Sequence, residues 1–310
     1  MSLKAAVKPW LRPLPQWAAI GLVPPQRAVS VALEWVGHAA DVAQNQTVAS
    51  LRPLAVAIGL SDATGPTRAR LVYRDPMISG ALGQIALRRS SVMTVAGRAI
   101  GIFAVESADH RCLRWPQRPW NAWLQSRAMR RNTNPHNFQM TATAVRQLMV
   151  FYICPRPVVL VSVCDESHSN IFPMDLIGPL SNGCFTLALR NTSISVPTMV
   201  RARRLVLSGV PSELKDTAYR LGEHHKRGFA DWDSLPFPVI RSDAFGIPAA
   251  ASAVSIRECA VLHSEEIGSH TFFVCETVSE RTVSAGPQLH HTAGFHQEFR
   301  RRRGTPFPSA

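Results

Sequence analysis

Short apolar runs separated by turn residues dominate the second half of the chain. Residues 158–163 form a β-branched run, residues 165–170 are polar, and the apolar pattern resumes at Ile171, which predicts a hairpin. Further strands are predicted at residues 185–189, 205–210, 253–262 and 271–278. The last two are separated by a polar stretch and predict a second hairpin. Many short strands with few helices favour a small antiparallel barrel in a fold that is mainly β.

Two short helices are predicted within this pattern. Ser195 is followed by a valine and a proline, and a serine can cap free amides while proline is tolerated in the first turn. A second helix opens at Ser212, because Leu214, Ala218 and Leu221 then share one helical face.

The first half of the chain has a different character. Its apolar patches are short and interrupted by proline and glycine, with strand-like runs at 54–60 and 100–105 and weak helix signals. Residues 1–150 carry 18 Lys and Arg and only 6 Asp and Glu, whereas residues 151–310 carry 16 Lys and Arg and 15 Asp and Glu. Because this shift coincides with a turn-rich stretch at 132–137, we divide the chain into 1–140, of unknown α+β architecture, and 141–310.

A basic and aromatic segment stands out at residues 111–131, where six arginines interleave with Trp115, Trp120 and Trp123. Arginines with stacking aromatics are typical of single-strand nucleic-acid platforms. The favoured interpretation is a helix that packs its tryptophans on the neighbouring domain or subunit while its arginines face water, so nucleic acid is not expected as a partner. A short sequence similarity between residues 52–62 and 156–165 covers too few positions to indicate a duplicated domain.

Composition narrows the class of protein. With 310 residues, 46% of them hydrophobic, and a mean hydropathy of +0.00, the chain is globular, with one or two domains. No uncharged apolar stretch reaches the length of a membrane span, and the apolar run after the basic N-terminus is too short and proline-flanked for a secretory signal. Six cysteines without a CxxC pair predict reduced thiols and a cytoplasmic location.

The order of these segments resembles the flavin reductase-like, FMN-binding split β-barrel family over about residues 141–299. The resemblance is carried by PRPVVLVSV (155–163), NIFPMD (170–175), FTLALR (185–190), the helix opened by Ser195, RLVLSGV (204–210), the paired strands near Glu258 and Glu276, and QLHHTAGF (288–295). It implies a Greek-key split barrel in a homodimer, with FMN near the subunit interface (FAD is possible) and reduced NAD(P)H as the hydride donor.

The resemblance also implies binding residues. The residues carried over to the isoalloxazine ring are Asn170, Pro173, Met174, Asp175, Leu176 and Ile177. Those carried over to the phosphate are Arg190, Asn191, Thr192, Ser193 and Ser195. Lys226 and His291 are interpreted either as solvated side chains or as neighbours of the flavin or nicotinamide phosphates. The phosphate segment has suitable chemistry, because it offers a guanidinium, hydroxyls and the amides of a helix start within one turn.

Two features depart from the family. Many relatives carry a small hydroxyl residue at the position of Asp175, and a carboxylate beside the ring disfavours the reduced anionic flavin by like-charge repulsion. The long N-terminal half has no place in the minimal family and could cover the site or narrow its substrates.

Other chemistries are less well supported. The chain has 11 histidines but no HExxH motif and no paired cysteines, so no metal is expected, and no GxSxG turn points to a hydrolase. Catalytic residues are not assigned. The lead function is therefore a flavin-dependent oxidoreductase. The alternative is a non-catalytic flavin-binding or scaffold protein whose basic N-terminal region contacts nucleic acid or an acidic partner.

Overall fold

The computed structural model describes residues 14–23, 29–76, 78, 80–131, 138–180, 183–226 and 230–310. The turn-rich boundary predicted at 132–137 and the basic start of the chain lie outside these residues. Among the described residues, no helix combines the length and the apolar character needed to cross a bilayer. All six cysteines are unpaired, as the sequence predicted.

The N-terminal half forms a seven-stranded antiparallel sheet in the order β3-β2-β6-β7-β8-β5-β4. The first strand of this half of the chain is not part of that sheet and belongs to a small third sheet, described below. The strands are β1 (Trp17–Leu22), β2 (Ser30–Trp35), β3 (His38–Asp41), β4 (Gln46–Leu51), β5 (Leu54–Leu60), β6 (Arg68–Arg74), β7 (Gly83–Val95) and β8 (Arg98–His110). This half, whose architecture the sequence left open, is therefore mainly β.

The C-terminal half forms a second seven-stranded antiparallel sheet in the order β11-β10-β14-β17-β18-β13-β12. Its strands and their neighbours are β9 (Arg156–Pro157), β10 (Val159–Cys164), β11 (Ser169–Met174), β12 (Ile177–Leu180), β13 (Cys184–Arg190), β14 (Arg204–Gly209), β15 (Val239–Arg241), β16 (Pro248–Ala250), β17 (Ser255–Ile267), β18 (His270–Thr282) and β19 (Gln288–Ala293). A small third sheet, β1-β19-β9, joins the start of the chain to its end.

Short helices connect these sheets. They are α1 (Gln117–Arg131), α2 (Ala142–Phe151), α3 (Ser195–Ala202), α4 (Lys215–Arg220) and α5 (Gly294–Arg301), with 3-10 turns at Ser212–Leu214 and Leu221–Lys226. Ser195 is the first residue of α3, whose N-cap is Ile194, so the predicted serine cap is not formed. The expectation of a mainly β fold with short helices is confirmed.

The hairpin of β17 and β18 is longer than the apolar pattern predicted. The polar stretch 263–270 was expected to be a loop, but the two strands pair down to Ile267 and His270. In β17 the polar side chains of this end, residues 263–266, are only partly buried or exposed, whereas His270 at the start of β18 is buried. The backbone ladder supplies the pairing that apolar burial does not.

Helix α1 is present, but its tryptophans are not buried on a neighbouring domain of the chain, and their packing on a neighbouring subunit stays a prediction. None of the described side chains of α1 is buried, and Trp120 and Trp123 are 41% and 46% exposed. The two indoles stack on each other with centroids 5.0 Å apart, and the Arg127 guanidinium lies 5.6 Å from the Trp123 ring. The tryptophans thus cover one another instead of a neighbouring domain.

An apolar cluster between the two seven-stranded sheets holds the halves together. It combines small residues of the N-terminal sheet, such as Ala57 and Ala49, with Ala188, Phe272 and Val274 of the C-terminal sheet. Strand β4 lies directly against β12, β13 and β18. Small side chains at this junction let the sheets approach closely, and this contact positions one wall of the cavity described next.

Candidate functional site

A cavity of about 1270 Å³ opens where the C-terminal sheet meets helices α1 and α2 and the end of β4. Its wall contains the end of β11, the end of β13, the start of β18 and part of β19. Much of the remaining surface is apolar, with methionine and leucine side chains from both halves. A space of this size is at the upper end for small-molecule sites and has room for more than one ligand.

A cationic group forms around Arg190, the last residue of β13. The guanidinium is partly buried and lies 5.1 Å from the centroid of Phe138. Burial, together with the neighbouring Arg190 charge, lowers the pKa of His225 and of His270 to about 4. Both imidazoles are therefore neutral near pH 7, and Arg190 provides the positive charge of this group.

The tautomer of His270 is set by its neighbours. The Leu51 backbone N–H, at the end of β4, donates to His270 Nδ1 over 3.4 Å, and the Ser269 hydroxyl lies 2.9 Å from the same atom. Because Nδ1 accepts from Leu51, the neutral ring carries its proton on Nε2. His270 thus presents an N–H donor from a ring that lines the cavity.

A second polar group is centred on Asp175, just after β11. Its Oδ2 lies 2.8 Å from Tyr152 Oη and 2.7 Å from His291 Nδ1. On the other side of the imidazole, His291 Nε2 lies 2.8 Å from Tyr219 Oη, and Trp17 stacks on the same ring at 5.9 Å. The result is a continuous chain of hydrogen bonds along one wall.

The protonation states follow from burial and pairing. Burial alone would raise the pKa of Asp175, but the hydrogen bonds from His291 and Tyr152 outweigh it and hold that pKa below its usual value. Burial and the Asp175 charge raise the pKa of Tyr219 to about 12, and the same causes raise the pKa of Tyr152 well above its usual value. Asp175 is thus ionised and both phenols keep their protons at neutral pH, so Tyr152 donates to Asp175.

Six of the residues carried over from the resemblance line the cavity. They are Pro173, Met174, Asp175, Leu176, Arg190 and His291. The others are placed elsewhere among the described residues. Asn170 is buried and donates to Ser195 Oγ and to the His224 carbonyl, and Ile177 lies in the apolar core of the C-terminal sheet.

The remaining members of the predicted phosphate segment turn away from the cavity wall. Asn191 donates to the Gly268 carbonyl and accepts from Thr271, while Ser193 accepts from the backbone N–H of buried Ser195. Thr192 and Lys226 are exposed and do not line the cavity. Of the segment 190–195, Arg190 alone contributes to the wall.

Sequence reasoning missed four residues of the site. Tyr152, Tyr219, His225 and His270 come from four separate elements and carry no spacing that relates them. The described residues contain no group of three or more histidine, cysteine or acidic side chains placed to hold a metal ion.

Comparison with known proteins gives the family of the C-terminal half. The family model of the flavin reductase like domain matches residues 151–298. This part of the chain is a flavin reductase-like domain. The split barrel expected for residues 141–310 is the fold of that family, and the domain supports a flavin-related function. Among proteins with curated functions, none matches this chain.

Solved structures similar to the flavin reductase-like domain include flavin proteins. An FMN-binding protein from Thermus thermophilus, with bound p-hydroxybenzaldehyde, is 25% identical over 41% of this chain and 72% of its own, with a TM-score of 0.37. An NADH:FAD oxidoreductase from Streptomyces globisporus is 18% identical over 52% of this chain and 95% of its own, with a TM-score of 0.43. The flavin reductase component of a bacterial two-component tryptophan halogenase is 16% identical over 48% and 98%, with a TM-score of 0.40.

Proposed function

We propose that this protein is a flavin-dependent oxidoreductase that holds FMN in the cavity of its flavin reductase-like domain and takes hydride from NAD(P)H. The observation that carries the proposal is the partly buried Arg190 in a cavity of about 1270 Å³, beside the backbone of residues 173–176. A flavin mononucleotide needs a cation for its phosphate and an apolar slot with a polar edge for its ring. The cavity offers both.

The donor set fits such a ligand. Arg190 supplies a guanidinium whose paired N–H groups can bind the phosphate. The Nε2–H of His270, a residue on the same part of the cavity wall, is a further donor. Met174 and Leu176 offer apolar surface beside the backbone that would face the ring edge. FAD is compatible with the same donors because the cavity is larger than a mononucleotide requires.

The cavity also has cations for a second nucleotide. Arg130 of α1 and Arg146 of α2 contribute to its rim, next to Met129, and Arg146 Nη1 lies 3.4 Å from Ser126 Oγ. No ion pair with a carboxylate is found for either arginine within the described ranges. Two guanidinium groups at the mouth suit the phosphates of a nicotinamide dinucleotide.

The protein's own contribution is positioning and the control of charge. When bound, the flavin supplies the ring that accepts hydride from the nicotinamide. Asp175 holds His291 through Nδ1, so that Nε2 accepts a hydrogen bond from the Tyr219 hydroxyl, which fixes the Tyr219 ring at the wall. Two donors on Asp175 offset its negative charge and weaken the repulsion that this carboxylate would exert on a reduced flavin. The apolar surface of the cavity excludes water from the nicotinamide and the ring.

Binding is tested by titrating FMN into the full chain. We expect quenching of flavin fluorescence at micromolar protein, because the ring is transferred into a cavity with aromatic neighbours. A folded protein, verified by circular dichroism, that leaves FMN and FAD fluorescence unchanged at tens of micromolar would contradict the proposal.

The rim arginines give a prediction about the hydride donor. Arg130→Ala and Arg146→Ala should each raise KM for NADH or NADPH by roughly three- to ten-fold, the scale of one partly solvated charged contact, with the flavin Kd unchanged. The matched control is Arg131→Ala, at the exposed end of the same helix and outside the cavity wall. Equal effects at Arg130 and Arg131 would show that only general charge matters.

The exposed tryptophans of α1 favour a second candidate, a flavin-binding or scaffold protein that contacts nucleic acid or an acidic partner. Our proposal does not include this contact. We therefore expect a single-stranded oligonucleotide to bind the chain no more tightly than about 1 μM at physiological salt, the range of non-specific association. Tighter, strongly salt-dependent binding that Trp120→Ala and Trp123→Ala abolish would favour the second candidate.

A cytoplasmic location, expected from the cysteine pattern, is a further part of the proposal, whereas the homodimer implied by the resemblance is the alternative to the internal pairing argued below. Cell fractionation tests the first, and light scattering tests the second.

A further inference from the structure

The two seven-stranded sheets are built on one plan. We number the seven strands of each sheet 1 to 7 in chain order. The first sheet starts at β2 and the second at β10, with β15 and β16 left out because they belong to another sheet. Both sheets then have the same spatial order, 2-1-5-6-7-4-3. Every neighbouring pair in both sheets is antiparallel. Two unrelated segments would not be expected to share so specific an order.

The long hairpins agree in finer detail. In β7 the register shifts between Ala86 and Leu87, and in β17 it shifts between Glu258 and Cys259, 172 positions later. A second register shift begins at Arg89 in β7 and at Val261 in β17, and these two positions are again 172 residues apart. Bulges depend on local backbone geometry, so two at matching sites indicate that residues 83–110 and 255–282 are equivalent.

The contacts between the sheets are reciprocal. The β4–β5 turn of the first sheet meets the β17–β18 turn of the second, where the Ser269 N–H donates to the Arg52 carbonyl at 2.9 Å. In the reverse direction, Arg98, which opens β8 after the β7–β8 turn, places Nη1 3.0 Å from Cys184 at the start of β13. Strands β4 and β12, the third of each sheet, meet each other. This reciprocity is the pattern of a two-fold interface between identical subunits.

One position shows how close the approach is. Gly268 has a φ of +57°, and a Cβ there would lie 2.4 Å from the Arg52 carbonyl oxygen. Only glycine fits both the left-handed backbone and the contact with the other sheet.

We propose that the N-terminal sheet takes the place of a second subunit, so that one chain is a complete internal pseudo-dimer with a single nucleotide site. The statement about one site rests on the proposed flavin function, whereas the internal pairing does not. Both sheets contribute to the site, because Leu51 lines the cavity and its N–H fixes the tautomer of His270. A homodimer would not be needed to complete the cavity.

The equivalent place on the first sheet has lost the binding chemistry. Matching the strand pairings puts Ser61 at the position of Arg190, Ala43 at that of Asp175 and Arg98 at that of His270. The helix α3 that follows Arg190 has no counterpart in residues 61–67, and the segment that carries His225 is replaced by the short connection 75–82. This half therefore lacks the cation at the corresponding strand end and the Asp175 carboxylate.

Light scattering of the full chain, combined with the flavin content per chain, tests the pseudo-dimer. We expect a mass near 34.1 kDa at micromolar concentration and one flavin bound per chain at saturation. A mass of about twice that value would overturn the pairing and support the homodimer, and two flavins per chain would overturn the loss of the second site. A monomer that binds no flavin would support the pairing and contradict the proposed function instead.

A pair of substitutions tests whether the first sheet contributes to the site. Leu51→Ala should raise the flavin Kd by roughly three- to ten-fold, as expected for removing a partly buried leucine side chain from a binding wall. Val36→Ala is the matched control on the same sheet, at a turn where the side chain is 94% exposed, and should change nothing. Equal flavin affinity in the two variants, both folded by circular dichroism, would overturn the contribution of the first sheet.

Discussion

Arg190→Ala should weaken FMN binding by about 1.5–3 kcal/mol, the contribution of a hydrogen bond to a charged group. This corresponds to a rise in Kd of roughly ten- to 150-fold. The expected effect is large because the guanidinium is partly buried, whereas the two imidazoles beside it are neutral and cannot replace its charge. Fluorescence titration of the full chain measures it directly.

The control is Arg241→Ala. Arg241 is exposed, donates to the Gly246 carbonyl within its own loop, and lies outside the cavity wall. Both substitutions remove one positive charge, so they differ only in position. If the two variants bound FMN equally well, Arg190 would not be a phosphate ligand.

Asp175→Ala should destabilise the folded protein by about 2–4 kcal/mol. The substitution leaves the Tyr152 hydroxyl and the His291 Nδ1–H, both on mostly buried side chains, without the carboxylate that accepts from both. Urea unfolding of the flavin-free chain at pH 7 measures the loss. Asp62→Ala is the control, because that carboxylate is exposed and bonded only to its neighbours Ser61 and Thr64.

The loss should depend on pH in a defined direction. The pKa of Asp175 is lower in the folded chain than its ordinary value near 3.9, so its stabilisation is present above that value and disappears as the pH falls through the folded-state pKa. The difference between the native chain and Asp175→Ala should therefore be constant near neutral pH and shrink below about pH 4. A difference that grew on acidification would show that the carboxylate is not held as an anion.

The periodicity of the C-terminal half was sufficient to predict six of the seven strands of its large sheet, but β12 and the short strands β9, β15, β16 and β19 were not predicted. Runs such as 185–189 and 205–210 are apolar on both faces and bounded by turn residues, and they correspond to β13 and β14. The extension of the β17–β18 hairpin was missed because residues 263–266 of β17 pair through the backbone without burying their polar side chains. Apolar pattern alone does not report such pairing.

The N-terminal sheet was predicted only in part: the runs 54–60 and 100–105 correspond to β5 and to part of β8, but its other strands were not predicted. One of these, β4, meets the other half through the small residue Ala49, which gives a weak apolar signal. The sequence similarity between 52–62 and 156–165 aligned β5, the fourth strand of the first sheet, with β10, the first strand of the second. It therefore did not reveal that the two sheets share one strand order. The exposure of the α1 tryptophans could not be predicted either, because their indoles stack on each other.

Part of the candidate site could be predicted from the resemblance, and part depends on tertiary structure. Asp175 and Arg190 lie in segments whose order is recognisable, and both line the cavity. Tyr152 and His270 reach it from α2's C-terminal end and from a hairpin turn, and Leu51 reaches it from the other sheet. Residues 100 or more positions apart carry no local pattern that would bring them together.

The central claim is that this chain binds a flavin that NAD(P)H reduces. An absorbance spectrum of the FMN-loaded full chain, recorded under anaerobic conditions before and after the addition of NADH or NADPH, tests it most directly. We predict an oxidised flavin spectrum that bleaches on addition of the nicotinamide, and more slowly in the Arg130→Ala variant at the same concentration. A bound flavin that neither nucleotide bleaches would contradict the oxidoreductase and leave a flavin-binding protein without this activity.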